Sequence, residues 1–124
     1  MPIEGGIIMD VKQLVTNYHN AWTSGDMKKA RACLADDLDF QGSIETYSRA
    51  DDFIASLAMF QKMLQKVTLI QSFFSDSGAA LLYDCDTMSP AGVIRTAEFF
   101  VLNDGKIKSI RLVFDATELR KFMG

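Results

Sequence analysis

The stretch Tyr18–Asp37, YHNAWTSGDMKKARACLADD, constrains this chain most. Val11, Leu14, Val15, Tyr18 and Trp22 recur at three-and-four spacing, so one face of a first helix, Met9–Thr23, looks inward. Ser24-Gly25-Asp26 ends it. Gly25 can take the left-handed conformation of a helix C-terminus, and Asp26 can cap the next helix. This second helix, Asp26–Ala35, turns Met27, Ala30, Cys33 and Leu34 inward, with Arg31 at the edge of that stripe. A short strand, Leu38–Gln41, comes next. Two angled helices and a strand form a lid over the remainder of the chain.

That remainder changes character once. Gly42–Tyr47 reads as a loop, and Ser48 as the cap of a third helix with Asp51 and Asp52 in its first turn. Phe53, Ile54, Leu57, Phe60 and Leu64 form that helix's inward face. Four strands come after it at Lys66–Phe74, Ala79–Met88, Val93–Leu102 and Ile107–Phe114, rich in β-branched and aromatic residues. Ser75–Gly78 and Ser89–Gly92 are turns, and Asn103-Asp104-Gly105 marks a tight hairpin. Asp115 caps a short terminal helix. Helices first and strands afterwards give an α+β fold. The expected form is a cone-shaped, curved antiparallel sheet with helices packed on its concave face, a cystatin-like roll.

The 124 residues, 48% hydrophobic, suit one domain with one core, read as Met9–Gly124 behind a loose Met1–Ile8 tail. A net charge of −3 argues against nucleic acid or an anionic membrane surface as partner. No apolar run is long enough to span a bilayer, and MPIEGGII lacks the basic region of a secretory signal. Cys33 and Cys85 lie outside any C-x-x-C pair and read as buried, reduced thiols, so a cytoplasmic location is expected. A metal site would need histidines, and His19 stands alone at a surface or half-buried position of the first helix. The chain contains no dinucleotide fingerprint, P-loop, H-E-x-x-H or nucleophile elbow, so no metal and no cofactor is expected.

The A-W-x-x-G-D and L-A-D-D segments, with the hairpin Phe99–Ile107 and the ending Leu112–Asp115, resemble the nuclear-transport-factor-2-like superfamily. That superfamily includes ketosteroid isomerases, polyketide cyclases and limonene-epoxide hydrolases. The likeness runs from about Met9 onward and implies a central pocket and sheet-to-sheet homodimers. It does not imply one chemistry, because this scaffold hosts many activities. By position, Tyr18 resembles the isomerase tyrosine that donates to the steroid oxyanion. The isomerase base then falls on Gly42 and the second oxyanion donor on Ala97. Asp86 resembles a catalytic aspartate of the epoxide hydrolases, whose partner aspartate falls on Leu112. Neither set is complete.

The strand pattern itself suggests where polar groups point. A two-residue Asp104-Gly105 turn places Asn103 opposite Lys106, and hence Glu98 opposite Arg111. Arg95, Ala97, Phe99, Ile110, Leu112 and Phe114 then share the other face, the expected cavity wall, with Glu98–Arg111 an outer ion pair. One register of the neighbouring strand sets Asp86 opposite Arg95 with Asp84 opposite Ala97. Another, shifted by one, sets Asp86 opposite Ile94. Asp84 and Asp86 share a face in both. In the first register Asp86 and Asp84 form an acid–base pair, Arg95 orients it and Tyr18 donates to an oxyanion. In the plainer reading the two aspartates are solvated at the sheet's open end and Tyr18 is a core tyrosine. Trp22, Phe40, Tyr47, Phe99, Leu112 and Phe114 are the candidate ligand-binding residues.

Two functions fit. One is a cofactor-independent isomerase, dehydratase or cyclase acting on a small, mostly apolar metabolite. The other is a non-catalytic ligand-binding or dimerisation module. Both faces of Val67–Phe74 and Val93–Leu102 are apolar, and a second subunit is the simplest cover for the outer one.

Overall fold

The computed structural model describes residues 10–123. The expected tail and the start of the first helix at Met9 lie outside them. Helix α1, Val11–Thr23, begins where Asp10 accepts from the Gln13 backbone N–H and the Gln13 side chain answers the Asp10 N–H, a capping box. Leu14, Val15, Tyr18, Ala21 and Trp22 are its buried stripe. Asp26 caps α2, Met27–Ala32, which is shorter than its sequence suggests because Leu34 already belongs to β1, Leu34–Gln41. In the same region Arg31 bonds Asp36 and Asp51, both at 2.7 Å.

The stretch expected as a loop contains β2, Thr46–Tyr47, which pairs with the end of β1. Helix α3, Ala50–Gln61, is preceded by Arg49 without a side-chain cap, so Ser48 does not play the role its identity suggested. Arg31 on α2 therefore ties that helix to both β1 and α3. Four longer strands complete the sheet: β3 Leu64–Phe74, β4 Gly78–Thr87, β5 Val93–Asn103 and β6 Lys106–Phe114. The Asp115 side chain accepts from the Thr117 N–H at 3.0 Å at the start of α4, Thr117–Met123.

The α+β layout holds, but the expected cone does not form. The strands make one open sheet in the order β2-β1-β6-β5-β4-β3, and its edges β2 and β3 do not pair with each other. Closing a sheet requires its two edges to meet in register, and β2 has only two residues to offer. Nor is the sheet wholly antiparallel, since β1 runs parallel to β6. One face packs under α1 and α3. Leu34, Leu38, Phe40, Leu81, Tyr83, Cys85, Phe100, Ile107 and Ile110 join the helical stripes in a single core on that side. Both cysteines are free and buried there.

Candidate functional site

The site is decided by which side of β4 and β5 faces the helices. Asp104 and Gly105 adopt φ values of 53° and 73°, and Asn103 pairs with Lys106, as a two-residue turn requires. Leu102 pairs with Ile107. Val101, however, pairs with Ser109, so Lys108 is an extra residue in β6. Such a bulge moves every later pairing by one position, and each β5 side chain then lies across from a different partner. Glu98 therefore stands opposite Leu112, not Arg111. The inward set on β5 is Ile94, Thr96, Glu98 and Phe100, all buried, while Arg95, Ala97 and Phe99 face outward.

The same geometry corrects the acid–base unit. Asp84 pairs with Arg95 and Asp86 with Val93, a register one step beyond the second alternative suggested by the strand pattern and two beyond the first. On β4 the buried positions are Leu81, Tyr83, Cys85 and Thr87, so Asp84 and Asp86 lie on the far face of the sheet from the helices. Arg95 holds Asp84 through two bonds of 2.8 and 2.9 Å. It is 65% exposed in doing so, and the guanidinium keeps the Asp84 carboxyl below its ordinary value. Arg111 turns to Asp39 at 3.0 Å, not to Glu98. Both are surface pairs of small energetic value.

Between α3 and the inner sheet face lies a cavity of about 420 Å³. Tyr83, Cys85, Ile94, Thr96, Leu112 and Phe114 form its floor, and Phe53, Leu57, Phe60 and Met63 its roof. Ser43, Glu45, Tyr47 and Ser56 stand among its polar lining. Ser43 is fixed to β6 by accepting the Phe114 N–H at 3.0 Å, which holds the 42–45 loop in place. The size and the mostly apolar lining are those of small-molecule sites. Of the residues proposed from the sequence, Phe40, Tyr47, Leu112 and Phe114 border this cavity. Phe99 is 48% exposed on the outer face. Tyr18 and Trp22 are core residues that do not border the cavity. Trp22 packs against Phe60 and Tyr83, which do.

A buried polar cluster adjoins the cavity floor at Tyr83. Its hydroxyl donates to Glu98 Oε1 at 2.9 Å. Glu98 is 2% exposed, and burial pushes its carboxyl up to about 7 against the pull of the Tyr83 bond. Burial also raises the Tyr83 and Tyr18 phenols well above their ordinary value, with Glu98 adding to both shifts. The Tyr18 ring meets Phe100 edge-on at 5.9 Å, and its buried hydroxyl has no hydrogen-bond partner among the described residues. His19 is also buried, where a surface or half-buried position was expected. Its ring packs on Tyr83 at 5.1 Å, and burial lowers its pKa to about 4. Cys85 is pushed up to about 12, mainly by burial, which makes it a poor thiolate. Glu98 and Tyr83 were not among the residues expected at the site. The available signal was a lone carboxylate inside the apolar run Val93–Leu102, which a regular hairpin register sets opposite Arg111 although its partner is Tyr83.

Residues 15–110 match the model of the SnoaL-like domain. The chain belongs to that family, within the nuclear-transport-factor-2-like superfamily. Among solved structures it is similar to a protein from Kribbella flavida at 27% identity and a TM-score of 0.83, covering 90% of this chain and 91% of that one. An NTF2-like protein of unknown function from Cytophaga hutchinsonii matches at 19% identity and a TM-score of 0.77, over 94% and 99% of the two chains. An LEH-like epoxide hydrolase of M. tuberculosis matches at 18% identity and a TM-score of 0.70, over 88% and 85%. The last two likenesses, at such low identity, speak to fold alone. A search among curated proteins found no significant match. No helix among the described residues is long and apolar enough to cross a membrane.

Proposed function

We propose that this SnoaL-like domain takes a small, mostly apolar, carbonyl-bearing metabolite into the α3–sheet cavity and acts on it by cofactor-independent proton chemistry. The observation that carries this is the Tyr83–Glu98 pair at the cavity floor. Tyr83 touches the cavity, and Glu98 stands behind it. When Glu98 is ionised it holds the Tyr83 proton. When Glu98 is protonated it can donate to the Tyr83 oxygen instead and free the phenolic O–H for a ligand oxygen. A carboxyl poised near 7 makes both states available at neutral pH. Tyr83 is thus the candidate donor to a developing enolate, and Glu98 its positioning residue. An isomerase, dehydratase or cyclase would use such a donor.

The test is the pH dependence of binding of an apolar aryl ketone, followed by fluorescence titration. Affinity is expected to fall as pH rises through about 7, because ionised Glu98 recaptures the Tyr83 proton. Glu98→Gln should remove that step, and Tyr83→Phe should weaken the ketone by roughly tenfold, the worth of one hydrogen bond. Equal affinity in Tyr83→Phe and wild type would sink the assignment.

The second reading, a binding module without turnover, is favoured by a different observation. The carboxylates that the sequence offers for catalysis, Asp84 and Asp86, face away from the cavity, and the base position of the isomerases falls on Gly42. Ketone binding that shows the same pH profile with no product formed would select it.

We further propose that two copies pair through the outer sheet face. There Phe73, Val93, Phe99, Val101 and Val113 are 64%, 60%, 48%, 52% and 56% exposed, a set of large apolar side chains on the face that carries no helix.

A further inference from the structure

The cavity is one-sided in charge. Among the residues that line it, none is Lys, Arg or His, and the one carboxylate is Glu45. Glu45 accepts from the Tyr47 hydroxyl and from Ser56 Oγ, the latter at 3.0 Å. Both bonds use Oε2, so they aim the carboxylate without occupying Oε1. All three side chains border the cavity, and Glu45 is exposed, so they mark its solvent-side end. Burial raises the Tyr47 phenol, with the Glu45 bond adding to the shift, so Tyr47 stays a donor. On α3, Asp52 adds to that shift and so lies near enough to deepen the negative field. On α4, Arg120 donates to the Ser43 carbonyl at 2.6 Å and keeps its charge, outside the lining itself.

A carboxylate at the rim of a greasy cavity, with no cation in the lining, repels anions and lacks a positive partner. From this, and resting on the reading of the cavity as a ligand site, we infer that its ligand is an apolar molecule carrying a protonated amine, which donates to Glu45 Oε1 at the mouth while the apolar body fills the space between Phe53, Phe60 and Leu112. Carboxylated and phosphorylated metabolites are disfavoured at Glu45 by the same charge.

The test uses three probes of one shape: phenylbutylamine, phenylbutanol and phenylbutyrate, titrated calorimetrically into the full chain at pH 7 and low salt. The amine is expected to bind roughly tenfold more tightly than the alcohol, and the acid more weakly than both, with the amine's advantage shrinking at high salt. In Glu45→Gln the amine should fall to the alcohol's affinity while the alcohol keeps its own, which also shows that the cavity is intact. Equal binding of the amine and the alcohol in wild type, or an amine preference that survives Glu45→Gln, would overturn this inference and leave the cavity reading standing. If none of the three probes binds, this inference falls alone, because the cavity reading is tested separately by the aryl ketone.

Discussion

Two side chains of the buried cluster pull stability in opposite directions with pH. Glu98 has its pKa raised from 4.5 to about 7, so its folded form keeps a proton that the unfolded chain has lost. Its contribution is complete below 4.5 and is lost as pH rises toward 7. His19 has its pKa lowered from 6.5 to about 4, so the unfolded chain binds the proton first. Its contribution is present above 6.5 and is lost as pH falls toward 4. Each shift corresponds to about 3 kcal/mol, and between 4.5 and 6.5 the two slopes oppose each other. Wild type should therefore be nearly flat in that window as far as these groups are concerned. Glu98→Gln should gain on wild type by about 3 kcal/mol between pH 4.5 and 7.5. Urea unfolding of both proteins across this range measures it, and parallel curves would show that the Glu98 proton is not held by burial.

At the scale of elements, close approach matters more than propensity. Gly78 opens β4 opposite Val101, and a Cβ built there would lie 2.6 Å from the Phe100 carbonyl oxygen. That neighbour is backbone and cannot rotate away. Gly78→Ala should cost about 2 kcal/mol as β4 and β5 are forced apart. A melting temperature equal to that of wild type would show that the strand end yields freely. The bulge at Lys108 acts at the same scale. One residue inserted into β6 brings Glu98 under the helices and puts Arg95 and Phe99 in solvent. Nothing in Lys106–Phe114 distinguishes a bulged strand from a regular one, since its apolar and polar residues alternate acceptably in either register.

For the whole molecule, the open sheet leaves one face without helices. If two copies meet there, Phe99→Lys combined with Val101→Lys places charge in the middle of the contact. It should convert a dimer into a monomer in sedimentation equilibrium while leaving the thermal transition cooperative. A wild-type chain that sediments as a monomer at micromolar concentration would refute the pairing. Cavity and outer face lie on opposite sides of one sheet, so the double variant should still bind the amine probe.

Periodicity, caps and turn residues act over a few residues, and they were enough to place three main helices, the four long strands, the Asp104-Gly105 turn and the inward stripe of α1, though not the ends of α2 and α3, where Leu34 and Leu64 went to strands instead. They also sufficed for Leu112 and Phe114, whose side of β6 is set by their own alternation. Other features depended on partners distant in the chain. The parallel seating of β1 on β6, the face of β5 that meets the core and the burial of His19 against Tyr83 emerge only when strands pair and helices dock. A side chain's face depends on one unpaired residue in a neighbouring strand, and the energy that selects that register is summed over the assembled core.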